Sequence, residues 1–256
     1  MEPNFWIAIL LAIIGACFGS FVSLVSYRLP RDEDIIRKPS RCPSCETRLG
    51  VKALVPIISW IWSGGKCYYC RIRISIRYPL IELTLAALFV GIYILNGITV
   101  ASVMLMLFTV CLVTLIVTDL EFGIIPDELH WAMLPTAIVY RRATDASWGE
   151  IFFGAFMGAV VGIGLRVGYK ILRGREGLGM GDVKFLIIAG LWIGVMPMLP
   201  FLFYAGLIGT LTAILWRLLG RGEVFPFGPA LAISLFLCVL FPQITAVFWN
   251  PAPLLR

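Results

Sequence analysis

The sequence predicts an all-α polytopic membrane protein of about eight transmembrane helices, with a small cytoplasmic four-cysteine zinc-binding domain between helices 1 and 2. Its 256 residues are 60% hydrophobic and only 14% charged, and the mean hydropathy is +0.93. These values lie outside the range of soluble domains. Several uncharged runs reach the ~20 residues that a helix needs to cross a lipid bilayer. A single polar, charged segment, residues 28–78, interrupts them.

The uncharged runs locate the predicted spans. The first run is long and has no Ala-x-Ala exit site, so we expect it to be retained rather than cleaved as a signal peptide. Residues 83–118 are too long for one span, and Asn96-Gly97 is predicted to divide them as a turn. The predicted spans are residues 5–27, 79–95, 99–118, 129–140, 151–171, two spans within 185–216 that are separated by an outside turn at Pro197 and Pro200, and 230–248.

Charge predicts the orientation of these spans. Residues 28–77 contain eleven basic and four acidic residues, and a basic loop beside a span lies in the cytoplasm by the positive-inside rule. Asp119 and Asp182 then fall on the cytoplasmic face. We expect no nucleic-acid binding despite the net charge of +6, because aromatic stacking positions do not alternate with the basic residues. The predicted domains are 1–27 (first helix), 28–78 (cytoplasmic domain) and 79–256 (transmembrane core).

Two Cys-x2-Cys pairs lie in the polar segment. They are Cys42 with Cys45 and Cys67 with Cys70. Paired spacing of this kind is typical of tetrahedral thiolate coordination of Zn²⁺, and four cysteine ligands leave no open position for catalysis. Disulfide bonds are the rival interpretation, although a reducing cytoplasm disfavours them. The sequence therefore predicts a structural zinc site.

Two carboxylates are candidates for catalysis. Asp119 closes one apolar run, and Asp182 lies in the glycine-rich stretch 177–184 at the start of another. A pair of aspartates hydrolyses a peptide bond when one is ionised and the other protonated, which is the state that two carboxylates sharing a site adopt. Taken singly, Asp182 reads as a helix cap and Asp119 as an interfacial charge. The main alternative to Asp119 as the second catalytic carboxylate is Asp127, and Glu121 and Glu128 are weaker alternatives.

Other chemistries find less support. The single histidine, His130, has no spaced partner motif for Ser or Cys catalysis, and we expect it to be interfacial. There is no His-Glu-x-x-His zinc site and no phosphate-binding P-loop. A transporter with interfacial carboxylates remains an alternative, but it does not obviously need a four-cysteine module.

Taken together, these motifs resemble one family over nearly the whole chain. The sequence is similar to the bacterial type IV prepilin peptidases, also called leader peptidase/N-methyltransferases, which are GxGD-type intramembrane aspartyl proteases. Ser23 departs from the pattern, since the family often has asparagine there. The matching stretches are Gly19-Ser20-Phe21, Tyr27-Arg28-Leu29-Pro30, the two Cys-x2-Cys pairs, Pro56-Ile57-Ile58-Ser59-Trp60, residues 74–82, Asp119 with Ile125-Pro126-Asp127, and residues 177–184.

The resemblance implies a function and a cellular location. It implies a bacterial inner-membrane enzyme, with Asp119 and Asp182 as the catalytic pair facing the cytoplasm. It implies substrates that are prepilins or pseudopilins of type IV pili or type II secretion, cut after a glycine, and methylation of the new N-terminus by S-adenosylmethionine. Candidates for methyl transfer are Gly65, Lys66 and Glu82. The ordinary interpretation of Gly65 and Lys66 is a turn that leads into the second cysteine pair, and that of Glu82 is an interfacial charge. A relative that has kept only the protease is the alternative.

Overall fold

The computed structural model describes residues 3–175, 177–220 and 225–248. Within these ranges the regular structure is helical, apart from two isolated β-bridges in the four-cysteine segment. The α-helices are α1 (Phe5–Arg28), α2 (Ile58–Trp62), α3 (Arg77–Asn96), α4 (Val100–Phe122), α5 (Asp127–Ala143), α6 (Trp148–Arg173), α7 (Met180–Ile193), α8 (Met198–Leu218), α9 (Gly228–Leu240) and α10 (Pro242–Ala246).

Several of these helices are candidates for membrane spans. In the described ranges five helices are long and apolar enough to cross a membrane, namely α1, α3, α4, α6 and α8. The remaining long helices, α5, α7 and α9, have 17, 14 and 13 residues, fewer than the ~20 that a full crossing requires. The helical class with several candidate membrane helices is therefore confirmed, and the count of eight crossings stays a prediction.

Several predicted boundaries can be compared with the helices. The turn at Asn96-Gly97 is confirmed, because α3 ends at Asn96 and Gly97 has a φ of +67°. The prediction that Pro200 marks a turn is wrong: Pro197 caps α8, and Pro200 lies in its first turn, where a missing N–H costs no helical hydrogen bond. The last predicted span is interrupted at Phe241, since Pro242 cannot donate the hydrogen bond that would continue α9.

The chain divides into two compact units between Thr114 and Leu115. In the first unit α1 packs against α3, and small residues on α1 allow the two backbones to approach closely. A Cβ atom at Gly15 would lie 2.6 Å from the carbonyl oxygen of Leu85. Arg77 Nη2 also donates to the Ser26 hydroxyl at 2.7 Å. The four-cysteine segment is therefore anchored at both ends by a closely packed helix pair.

In the second unit α7 is the central helix. It packs against α5, α6, α8 and α9, and its side chains Phe185 and Trp192 are almost completely buried. A helix that is buried on all sides is expected to be apolar all round, which agrees with the run of apolar residues after Lys184. The glycine-rich turn at its start is thus carried by a helix that packs against α5, α6, α8 and α9.

Close contact between α6 and α7 depends on glycine. A Cβ atom at Gly158 would overlap the carbonyl oxygen of Leu186 and lie 2.9 Å from the Cα atom of Ile187. We expect Gly158→Ala to lower the free energy of unfolding by about 1–3 kcal/mol, the usual cost of overpacking. Gly164→Ala is the matched control on the same helix, because a Cβ atom there meets nothing within 4 Å. Thermal unfolding in detergent measures both, and equal stabilities for the two variants would contradict this packing.

Candidate active site

Asp119 lies in the last turn of α4 and is 7% exposed. The sequence predicted that the span would end at Thr118, but the helix continues to Phe122, so the carboxylate lies inside the helix rather than beyond it. Its Oδ2 atom accepts a hydrogen bond from the backbone N–H of Gly228 at 2.8 Å. Gly228 is the first residue of α9. A backbone donor from a distant helix therefore holds the carboxylate in one orientation.

Asp182 is the third residue of α7, directly after the glycine-rich turn. Its Oδ2 atom accepts a hydrogen bond from the backbone N–H of Gly179 at 3.2 Å. This contact agrees with the interpretation of Asp182 as a residue that caps the start of a helix. Arg166 Nη1 on α6 donates to the carbonyl oxygen of Leu178 at 3.2 Å. The turn is thus tied to the neighbouring helix, while Asp182 remains partly accessible.

The structure brings Asp119 and Asp182 within electrostatic range of one another. Both belong to the second unit, although 62 residues separate them in the chain. Two carboxylates that share a site do not easily ionise together, because the charge on one disfavours the charge on the other. The arrangement can therefore hold one proton between two carboxylates, which is what aspartyl hydrolysis requires.

Asp127 has a different environment. Its side chain is 61% exposed, and the Nζ atom of Lys184 lies 2.6 Å from Oδ1 and 2.7 Å from Oδ2. The hydrogen bonds from Lys184 hold the pKa of Asp127 below its ordinary value. This carboxylate is consequently ionised at neutral pH and paired with a cation, which suits a structural contact better than proton transfer.

His130 is buried at 7% exposure, and the expectation that it lies at the membrane interface stays a prediction. It lies in the first turn of α5, and its Nε2 atom is 3.1 Å from the carbonyl oxygen of Gly181. A carbonyl oxygen only accepts hydrogen bonds, so Nε2 carries the proton in this contact. The histidine therefore contacts the residue immediately before Asp182.

The four cysteines form one cluster in the first unit, with all four Sγ atoms within 4.8 Å of one another. The Sγ atoms of Cys42 and Cys70 are 3.8 Å apart, far beyond the ~2.05 Å of a disulfide. Tetrahedral coordination with Zn–S distances of about 2.3 Å places sulfur atoms about 3.8 Å apart. The cluster thus fits a tetrahedral metal ion such as Zn²⁺.

The two cysteine pairs have the same local backbone structure. In the first, the Cys42 N–H donates to the Thr47 carbonyl oxygen, and the Glu46 N–H donates to the Cys42 carbonyl oxygen. In the second, the Cys67 N–H donates to the Ile72 carbonyl oxygen, and the Arg71 N–H donates to the Cys67 carbonyl oxygen. Glu46 and Arg71 have φ values of 54° and 59°, which confirms that each pair is a tight knuckle. Repetition of one turn on both sides of the cluster is what a symmetric four-sulfur site needs.

The candidates for methyl transfer make contacts that stabilise the fold. Glu82 is buried, and its Oε2 atom accepts a hydrogen bond from the Ile57 N–H at 2.6 Å. Gly65, with a φ of +65°, accepts from the Ile74 N–H at 2.7 Å and packs against the Trp60 ring. Lys66 forms a β-bridge with Arg73. These contacts support the ordinary interpretation of Gly65 and Lys66 as a turn that leads into the second knuckle.

Comparison with known proteins decides the family. The bacterial Peptidase A24 N-terminal domain matches residues 13–95, and the type IV leader peptidase family matches residues 106–214. Prepilin leader peptidase/N-methyltransferase of Bacillus subtilis (strain 168) is 33% identical over 91% of this chain and 93% of the relative. The protein of the same name from Neisseria gonorrhoeae is 30% identical over 88% of this chain and 87% of the relative. The chain belongs to the prepilin leader peptidase/N-methyltransferase family. No solved structure matches it.

The family domains cover the residues that the sequence singled out. The N-terminal domain includes the four cysteines and Glu82, and the leader peptidase domain includes Asp119 and Asp182. Gly228 lies beyond both, and sequence reasoning missed it. The only signal that could have found it is the Phe-Gly-Pro sequence before the last apolar run, because a helix start offers unpaired N–H groups to a carboxylate.

Proposed function

We propose that this membrane protein removes the basic leader from type IV prepilins or pseudopilins and methylates the N-terminal amine that cleavage exposes. The observation that carries the proposal is the interacting pair Asp119 and Asp182, in a chain whose relatives are named prepilin leader peptidase/N-methyltransferase. The burial of Asp119 and its backbone donor Gly228 support a role for the pair in general acid–base catalysis.

The proposed cleavage uses both carboxyl groups. The ionised carboxylate takes a proton from water while the water oxygen forms a bond to the scissile carbonyl carbon, and the protonated carboxyl gives its proton to the carbonyl oxygen. The resulting tetrahedral diol collapses when the carbon–nitrogen bond breaks: the newly protonated carboxyl gives its proton to the departing nitrogen, and the other, now ionised carboxylate takes a proton from one diol hydroxyl. One water molecule is consumed, a leader carboxylate and a new amine are formed, and one proton is again shared by the dyad.

The location of the dyad suits a substrate that is basic at one end and apolar at the other. We propose eight crossings of the inner membrane, with residues 28–78 and the dyad on the cytoplasmic side. Asp119 is in the last turn of one membrane helix, and Asp182 is in the first turn of α7. A basic leader stays in the cytoplasm by the positive-inside rule while the apolar helix that follows it enters the bilayer, so the bond after the leader lies at the level of the two aspartates.

The four-cysteine cluster is proposed to hold a structural Zn²⁺ through Cys42, Cys45, Cys67 and Cys70. When bound, S-adenosylmethionine supplies the methyl group for the new N-terminal amine. Gly65, Lys66 and Glu82 remain candidates for this second step. The buried Glu82 carboxylate and its contact with Ile57 suit a residue that holds the four-cysteine domain against α3.

Mass spectrometry of a purified prepilin tests the proposed function. The prepilin is incubated with the detergent-solubilised or reconstituted protein and S-adenosylmethionine, and the masses of its products are measured. We expect loss of the leader followed by addition of one methyl group to the new N-terminus. Loss of the leader without methylation would restrict the protein to proteolysis. An intact prepilin, with folded enzyme, would return the carboxylates to the transporter interpretation.

Gly228 provides a test of the Asp119 geometry. A Cβ atom at Gly228 would lie 2.6 Å from Asp119 Oδ2 and 3.1 Å from Leu115 Cδ2, so Gly228→Ala forces the carboxylate away from its backbone donor. We expect the kcat of leader cleavage to fall by about tenfold or more, because small displacements of reacting groups are costly. Gly206→Ala is the control, since its Cβ atom would meet nothing within 4 Å. A wild-type kcat in Gly228→Ala would show that this contact does not orient Asp119.

A further inference from the structure

We propose that residues 125–130 form a clamp that positions Asp182 for proton transfer, with Asp127 and His130 acting as positioning residues through Lys184 and Gly181. The inference rests on the proposed function, since it assigns a role to residues that hold the catalytic turn. The clamp is defined as Ile125, Asp127 and His130 on one side, and Gly181 and Lys184 on the other. All five residues belong to the second unit.

The first contact of the clamp lies after Asp182. Lys184 is two residues beyond Asp182, and its Nζ atom is almost equidistant from the two carboxylate oxygens of Asp127, at 2.6 and 2.7 Å. Asp127 is the first residue of α5, and its position is preceded by Pro126, whose ring restricts the backbone there. A short, symmetric ion pair therefore links the start of α5 to the first turn of α7.

The second contact lies before Asp182. The Nε2–H group of His130 donates to the carbonyl oxygen of Gly181 at 3.1 Å, and a Cβ atom at Gly181 would lie 3.0 Å from the Cβ atom of Ile125. His130 is buried, so this hydrogen bond is shielded from competition by water. The absence of a side chain at Gly181 lets the turn lie directly against Ile125.

Together the two contacts bracket the catalytic residue. One fixes the peptide group immediately before Asp182, and the other fixes the side chain two positions after it. The contact from Gly179 to Asp182 Oδ2 orients the carboxylate, but it belongs to the same turn and moves with it. Contacts from other elements fix the turn within the unit. Arg166 on α6 holds Leu178, and α5 holds the residues on either side of Asp182.

The exposure of the ion pair distinguishes positioning from stability. The side chains of Lys184 and Asp127 are 42% and 61% exposed, and pairs exposed to this degree contribute little to global stability. Their loss is therefore expected to appear in the chemical step and not in unfolding. A misplacement of about 1 Å at a catalytic group costs up to about a hundredfold in rate.

A double-mutant cycle on the full-length protein in liposomes tests the clamp. The kcat and KM for prepilin cleavage are measured for Asp127→Ala, Lys184→Ala and the double variant, with unfolding temperatures measured in detergent. We expect each single variant to lose about tenfold to a hundredfold in kcat, with KM and unfolding temperature close to wild type. We expect the double variant to lose no more than the worse single variant, because residues in one contact are not additive.

Conservative variants and a control complete the experiment. Lys184→Arg and Asp127→Glu each keep an ion pair, so they should retain more of the wild-type kcat than the alanine variants. His130→Gln keeps a side-chain N–H donor, so its kcat should be higher than that of His130→Ala. The control Glu150→Ala removes an exposed carboxylate of the same unit that accepts the Ser147 N–H at 2.7 Å and holds the start of α6 instead of the glycine-rich turn. It should keep the wild-type kcat.

The outcomes separate the clamp from the proposed function. If the Asp182→Asn variant still cleaves prepilin, the proposed function itself is wrong. If Asp182→Asn is inactive but Asp127→Ala and Lys184→Ala both keep the wild-type kcat, the clamp is overturned and the proposed function stands. Losses that multiply in the double variant, or that follow a matching fall in unfolding temperature, would also overturn it, because they would indicate independent or merely structural roles.

Discussion

Asp182→Asn and Asp119→Asn should each abolish leader cleavage while the protein remains folded. An asparagine amide neither takes a proton from water nor gives one to the carbonyl oxygen, so either substitution removes half of the dyad. We expect a fall in kcat of at least about 10²–10⁴-fold, the usual contribution of one general acid or base. The Gly228 N–H and the Gly179 N–H each have a side-chain oxygen to bond in the variants as well, so the local structure should be retained.

The rate of leader release, followed by mass spectrometry, measures the effect, and the unfolding temperature in detergent verifies the fold. Asp127→Asn is the informative comparison, because Asp127 was the main competitor for the second carboxylate. Its amide oxygen still accepts a hydrogen bond from Lys184, so we expect a smaller loss than for either dyad variant. Retained cleavage in Asp119→Asn, together with complete loss in Asp127→Asn, would assign the second catalytic role to Asp127.

Removal of the metal should unfold the four-cysteine domain. Structural zinc contributes about 10–16 kcal/mol to the folding of zinc-finger peptides, and residues 41–73 contain no long helix that would hold the two knuckles together without it. We expect wild-type protein to contain one zinc per chain, and Cys42→Ser to lose it. Limited proteolysis should then cut within this segment in the variant but not in the wild type.

A cysteine outside the cluster controls for the substitution itself. Cys17 lies on α1 and is exposed, so Cys17→Ser should keep the metal and the resistance to proteolysis. Metal content is measured by mass spectrometry of the inorganic ions after exhaustive dialysis. A full zinc complement in Cys42→Ser, or protease resistance in protein freed of metal, would contradict a structural role for the cluster.

Local patterns in the sequence were sufficient for several features. The Asn96-Gly97 turn and the four-cysteine cluster are confirmed, because each depends on residues that lie close in the sequence or on a spacing that one kind of site requires. Helix ends were harder to predict. An apolar run shows where a helix is buried and not where its hydrogen bonds stop, so α4 continues four residues beyond the predicted end at Thr118.

Contacts between distant residues were beyond the reach of sequence patterns. Gly228 is 109 residues from Asp119, and no periodicity relates a helix start to a carboxylate so far away. His130 is buried, and its Nε2 atom is directed at the carbonyl oxygen of Gly181, 51 residues further along the chain. The clamp around Asp182 became visible only when α5 and α7 were seen in contact.

A peptide that imitates the transition state tests the central claim most directly. The peptide spans the cleavage junction of a prepilin and carries a non-hydrolysable hydroxyethylene group in place of the scissile bond, so its hydroxyl occupies the position of the attacking water. We expect it to bind wild-type protein at least about a hundredfold more tightly than the product peptides, as transition-state analogues do, and to lose this advantage in both Asp119→Asn and Asp182→Asn. Equal affinity for the analogue and the products, or undiminished affinity in Asp119→Asn, would show that these two aspartates do not share one transition state.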